Sequence, residues 1–157
     1  VLEQLDTTFE RIYGNKLLRE HNSVPHLISE CHRFRAVKKN GILELATELT
    51  KLFSERVDVS AIFNAIGNAQ KGEKLGSLKA LERLVAKEHS ELDAKSILAP
   101  LFGIYDLRLE STHIGSSKTE SGLQRVGVDI ADPITMQGQQ LLRSFVDTLR
   151  SIEQSLT

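Results

Sequence analysis

One cysteine, Cys31, is present in 157 residues, so no internal disulfide framework can hold this chain together, and its thiol suits a reducing compartment. No apolar run approaches the length of a membrane span, and no signal-peptide pattern opens the sequence, so the expected location is the cytoplasm. Charge of one sign is also missing. The formal net charge is -1, which gives no global basic field, so any nucleic acid must be met by a local patch. Alternating apolar residues are absent, and with them the argument for a sheet. There is no internal repeat or low-complexity segment. Gly67-Asn68-Ala69-Gln70-Lys71-Gly72 lacks the Gly-Lys-Ser/Thr ending of a phosphate loop, and no nucleophile elbow supports a hydrolase triad.

What is present is an ordinary globular composition, 40% apolar and 26% charged, in a chain long enough to bury one core without staples. The expected organisation is a single helical domain spanning 1–157. The start at Val1 rather than Met fits excision from a longer multidomain protein.

Helical spacing runs through the sequence. Leu2, Leu5, Phe9, Ile12 and Tyr13 share a face that Gly14-Asn15 interrupts; Lys16 to His21 either resumes the helix or links to the next. Ser23 is expected to cap a helix with Pro25 in its first turn, carrying Leu27, Ile28, Cys31 and Phe34. Asn40-Gly41 reads as a stop. Ile42, Leu45, Ala46, Leu49, Leu52 and Phe53 then face one way, with Glu44, Glu48, Lys51 and Glu55 opposite. Asp58 caps a short helix that Gly67-Asn68 ends, and Asn68 to Ser77 reads as a loop. Leu78, Leu81, Leu84 and Val85 make another helix. Asp93 is expected to cap the next, which Pro100 kinks or restarts. Ser116 to Asp132 reads as irregular, with room for a minor turn around Leu123 to Val128, and Asp132-Pro133 as the N-cap and first turn of a long amphipathic helix carrying Met136, Leu141, Leu142, Phe145, Leu149, Ile152 and Leu156.

Chemistry concentrates at Arg108 and His113. They lie where the apolar run Ile97 to Leu109 gives way to Gly115-Ser116-Ser117. In a regular helix, residues five apart diverge by about 140° around the axis, so the pair converges only if the helix ends between them. Ser111, Thr112 and Gly115 favour such an ending. A guanidinium that is always charged beside an imidazole that titrates near neutrality suits a phosphodiester: Arg holds the phosphate and His moves protons. The same residues also admit a plain structural role. Arg108 could pair with Asp106, Glu110 or a neighbouring helix, and His113 could cap helix carbonyls.

Arg-x4-His at a helix end, a short Gly-containing loop and one last amphipathic helix resemble the HEPN superfamily. In that family the motif is Arg-x4-6-His, usually with Asn, Asp or His directly after the Arg; Leu109 departs from the pattern. The resemblance implies an all-α bundle of about five or six helices, a homodimer whose two motifs face each other, and metal-independent RNA cleavage of the defence or toxin–antitoxin kind. It assigns Arg108 and His113 as the catalytic pair, with Glu110, Ser111 and Thr112 orienting His113 or touching substrate. No cofactor is implied.

A second candidate surface is the basic run Arg33, Arg35, Lys38 and Lys39, read either as a solvated helix face or as a phosphate-gripping strip. His21, His26, His32 and Cys31 crowd together, yet their spacing is not that of a structural zinc site, and no metal is assigned. The rival expectation from another class is a non-catalytic HEPN-like module that dimerises or docks a partner protein.

Overall fold

The computed structural model describes residues 1–32, 39–67, 75–110 and 117–157, and among these the helical spacing becomes eight α-helices. They are α1 (Leu2–Tyr13), α2 (Val24–His32), α3 (Lys39–Leu52), α4 (Val59–Ile66), α5 (Ser77–Val85), α6 (Glu91–Glu110), α7 (Ser117–Val126) and α8 (Ile134–Ser155). The class is all-α. Eight helices replace the five or six that the resemblance implies; the short α4 is where Asp58 and Gly67-Asn68 put it, and α7 is the helix that the spacing does not foresee. Among the described residues the one strand-like pairing is an isolated antiparallel bridge between Leu18 and Val57.

Helix α6 organises the bundle, packing against α3, α5, α7 and α8. Its inward residues Ala94, Leu98, Leu101, Gly103, Ile104 and Leu107 are buried. Pro100 removes one amide donor, yet α6 runs through it as one helix and does not restart there. Packing on four neighbouring helices outweighs one missing helical hydrogen bond. The α3 stripe is as expected, with Ile42, Leu45, Ala46, Leu49, Leu52 and Phe53 all in the core. On α8 the core face is Leu141, Phe145, Leu149 and Ile152, while Met136 in its first turn is exposed. Helix α1 lays Leu5 and Phe9 into the core and packs on α8, where Thr8 Oγ1 donates to Glu153 Oε1 at 3.1 Å.

Helix α7 occupies the stretch expected to be irregular. Its reason is tertiary: Gly103 of α6 and Gly122 of α7 let two helices meet almost backbone to backbone. A Cβ on Gly103 would lie 2.8 Å from Val126 Cγ2 and 3.0 Å from the Gly122 carbonyl oxygen. A Cβ on Gly122 would lie 3.0 Å from Leu107 Cδ2.

The ends of the helices show which local signals act. Asp58 caps α4 as expected, accepting from the amides of Ser60 and Ala61 at 2.9 and 3.2 Å, and Gly67 closes the helix in the left-handed conformation. Gly14 closes α1 in the same way. Three expectations are corrected. Asn40-Gly41 lies in the first turn of α3 and does not stop a helix. The cap of α6 is Ser90, whose Oγ accepts from the Asp93 amide at 3.1 Å and donates to Asp93 Oδ2 at 2.6 Å, so Asp93 holds the capping hydroxyl and is not itself the cap. Helix α8 begins after Pro133, and the Asp132 carboxylate makes no cap; it accepts from Gln140 Nε2 at 2.6 Å, one helical face further on. At α2 the start at Val24 is as expected, and the Ser23 hydroxyl bonds His21.

Candidate functional site

Arg108 lies in the last turn of α6, between the buried Leu107 and the exposed Leu109. Its Nη2 meets Glu55 Oε1 at 2.5 Å, and its guanidinium carbon stands 5.8 Å from the centroid of the Tyr105 ring. Glu55 belongs to the turn that follows α3, so a partner on a neighbouring element, one of the structural partners the sequence allows, does form. Asp106 is engaged elsewhere, with Arg125 Nη1 at 2.6 Å. Glu110, the last residue of α6, is half-buried. Ser111, Thr112 and His113 lie outside the described residues, as do Arg33, Arg35 and Lys38; Lys39 opens α3.

The Arg108–Glu55 pair is weakly stabilising. The side chains are 31% and 43% exposed, so water screens the attraction and the pair stabilises the fold by at most about 1 kcal/mol. A carboxylate oxygen and a phosphate oxygen present the same acceptor geometry to a guanidinium. Tyr105 and Leu109, 37% and 45% exposed, sit one helical turn apart on the outward side of α6 and give this end of the helix an apolar flank.

Glu55 also leads to residues that the sequence did not single out together. Its backbone carbonyl accepts from Arg19 Nη2 at 2.5 Å, while its carboxylate holds Arg108. Arg19 sits on the link after α1, which is fastened to the turn after α3. The Asp58 amide donates to the Leu17 carbonyl at 2.8 Å, and the Arg19 amide donates to the Arg56 carbonyl at 2.8 Å. Asp6 of α1 fixes the link from the other side, its Oδ1 accepting from the amides of Leu17 and Leu18 at 2.8 and 2.9 Å. Arg56 returns the grip: its Nε donates to the Arg19 carbonyl at 2.9 Å and its Nη1 to the Leu52 carbonyl at 3.2 Å. Burial lowers the Arg56 pKa from its ordinary value, and Asp6 and Glu20 work in the opposite direction.

The other grouped candidates separate. Cys31 is buried, and desolvation, reinforced by Glu48 and Glu30, pushes its thiol up to about 11, so it is a core residue and a poor nucleophile at neutral pH. His21 Nδ1 lies 2.6 Å from Ser23 Oγ and 3.2 Å from the Ser23 amide nitrogen. Among the described residues no three His, Cys, Asp or Glu side chains converge on one point. No described helix is long and apolar enough to cross a membrane. Compared with protein-family models, curated proteins and solved structures, the chain finds no match.

Proposed function

We propose that this chain is a HEPN-like, metal-independent ribonuclease that acts as a homodimer, with Arg108 and His113 as its catalytic pair. The observation that supports the reading is the setting of Arg108: a partly open guanidinium in the last turn of α6, held by the Glu55 carboxylate, five positions before His113 in the sequence. In the proposed reaction a ribose 2′-hydroxyl attacks the adjacent phosphorus and the 5′-oxygen of the next nucleotide leaves. His113 takes the proton from the 2′-hydroxyl or gives one to the leaving oxygen. Arg108 stabilises the charge that builds on the phosphorane, its Nη2 keeping Glu55. Glu110, Ser111 and Thr112 orient His113 or touch the strand, and Arg33, Arg35, Lys38 and Lys39 grip flanking phosphates. The exposed Tyr105 and Leu109 supply an apolar surface against which a second copy brings its own motif.

The test is cleavage of RNA by the purified chain. Replacing His113 or Arg108 with Ala should each lower the rate by about 10²–10⁴-fold, with helical content unchanged, and EDTA should have no effect because the proposed step uses no metal. Sedimentation at micromolar concentration should give a dimer of the 17.5 kDa chain. Cleavage that survives both substitutions would falsify the assignment.

A second reading has its own observation. The Arg108–Glu55 ion pair and the exposed Leu109, where the family pattern has a polar residue, suit a non-catalytic dimerisation or docking module. In that case the protein cuts no RNA, and Arg108→Ala merely loosens the contact between α6 and the turn after α3.

A further inference from the structure

The fastening of the link to the turn after α3 leaves a cleft of about 280 Å³. Arg19, His21, Ser23, Lys51, Glu55 and Arg56 are on its walls. Its volume is near the lower edge of the range for small-molecule sites, enough for one charged group and its immediate attachment.

The charges in this cleft do not cancel within it. Glu20, also on its wall, is bound to Lys16 Nζ at 3.1 Å, and the Glu55 carboxylate is bound to Arg108. Both acids thus have an ion-pair partner outside the cleft, although Glu20, together with Asp6, still acts on Arg56 through space. Lys51 has Glu48 at 3.0 Å. Arg19 and Arg56 differ: their hydrogen bonds go to the backbone carbonyls of Glu55, Arg19 and Leu52, and among the described residues neither has a carboxylate within ion-pair distance. A carbonyl fixes a guanidinium in place without cancelling its charge. The result is two positive groups held rigidly, each with further N–H donors to offer.

His21 adds a directed donor. The Ser23 amide can only donate, so its contact with His21 Nδ1 makes that nitrogen the acceptor. The neutral ring then carries its proton on Nε2, as a donor. Two guanidiniums and an imidazole N–H around a small cleft match the oxygens of a phosphate group better than those of any neutral ligand.

We propose that this cleft is a phosphate subsite for a single RNA strand, taking a phosphate that flanks the one bound at Arg108. The identification of the strand as RNA rests on the ribonuclease reading; the charge and geometry of the cleft do not. Glu55 places the two phosphate positions side by side, since its carboxylate holds Arg108 and its carbonyl holds Arg19.

The test uses a fluorescein-labelled 2′-O-methyl hexauridylate, which lacks the attacking hydroxyl and so separates binding from cleavage. Fluorescence anisotropy on the full chain should show binding that weakens with salt. The double variant Arg19→Gln, Lys51→Gln should raise Kd at least about tenfold and flatten the slope of log Kd against log salt by about 0.7 for each phosphate no longer neutralised. Circular dichroism checks that the variant folds. If Arg19→Gln unfolds the link, Lys51→Glu alone, on an exposed side chain, should still raise Kd severalfold. An unchanged Kd and slope in the folded variants would overturn the subsite, as would binding of inorganic phosphate without binding of the oligonucleotide. On cleavable RNA the same variants should raise KM and leave kcat in place; cleavage with unchanged KM sinks the subsite and spares the ribonuclease. Oligonucleotide binding that the variants weaken, in a protein that cuts nothing, keeps the subsite and sinks the ribonuclease.

Discussion

Two regions of this molecule join neighbouring segments of backbone by opposite means. At the seam between α6 and α7, Gly103 and Gly122 remove side chains so that the helices touch, and no space is left. At the link after α1, Arg19 and Arg56 insert the longest side chains available, each reaching across to a carbonyl on the other segment. The first solution seals; the second adds side-chain grips to direct backbone hydrogen bonds of 2.8 Å and leaves a charged cleft beside them. A joint made of glycine can only be structural, whereas a joint made of arginine keeps donors and charge for something else.

The contrast can be broken by substitution, beginning where the effect should be greatest. Gly103→Ala puts a methyl group against Val126 and the Gly122 carbonyl, and backbone cannot swing aside as a side chain can. A loss of about 2 kcal/mol is expected, read as a lower melting temperature. An unchanged melting temperature would mean that α6 and α7 have room between them. Arg56→Ala comes next. It removes two charge-assisted hydrogen bonds to carbonyls and should lower stability by about 1–2 kcal/mol, measurable by urea titration.

Arg125→Ala is the matched control within the seam. Its partner Asp106 is a carboxylate, but the side chains are 48% and 41% exposed, so the expected cost is below about 1 kcal/mol. Equal losses for Arg56 and Arg125 would erase the distinction between an arginine that holds backbone and one that decorates a surface.

The last effect appears only at alkaline pH. Because the Cys31 thiol is pushed up to about 11, above its value of about 8.5 in an unfolded chain, the folded state disfavours the thiolate. That contribution to stability is complete below the unfolded value and is lost as pH rises from there toward 11. Wild-type stability should therefore fall over this alkaline window, and Cys31→Ala should flatten the fall. A thiol that reacts with a disulfide reagent at pH 8 as fast in the folded as in the unfolded protein would contradict it.

What can be read from the sequence follows the range of the cause. The α3 stripe and the Asp58-to-Gly67 helix depend on neighbours a few positions away, and both are where the spacing puts them. Helix α7 cannot be found that way. Its polar composition and its glycine look irregular until Gly122 is seen to be the contact itself. Asp132 is a sound cap by residue type, but Gln140, eight positions on, competes for its carboxylate. The cleft is the least legible. Arg19 and Arg56 are 37 positions apart, and neither lies in a motif; a bridge between Leu18 and Val57 is what makes them neighbours. Arg108 stands out in the sequence as an isolated cation of interest, but its tie to Glu55 does not.

The packing of α1 on α8 has a consequence for the order of assembly. Leu5 and Phe9 leave the ribosome long before the helix that helps cover them; Thr8 and its α8 partner Glu153 are 145 positions apart. Until Ile134–Ser155 emerges, an amphipathic helix stands with its apolar side uncovered. Closing so long a loop adds little entropic cost, because that cost grows only with the logarithm of length. The burden falls on time: the nascent chain must keep α1 from other partners until α8 has been made, and fraying of α8 in the finished protein uncovers the same two side chains at once.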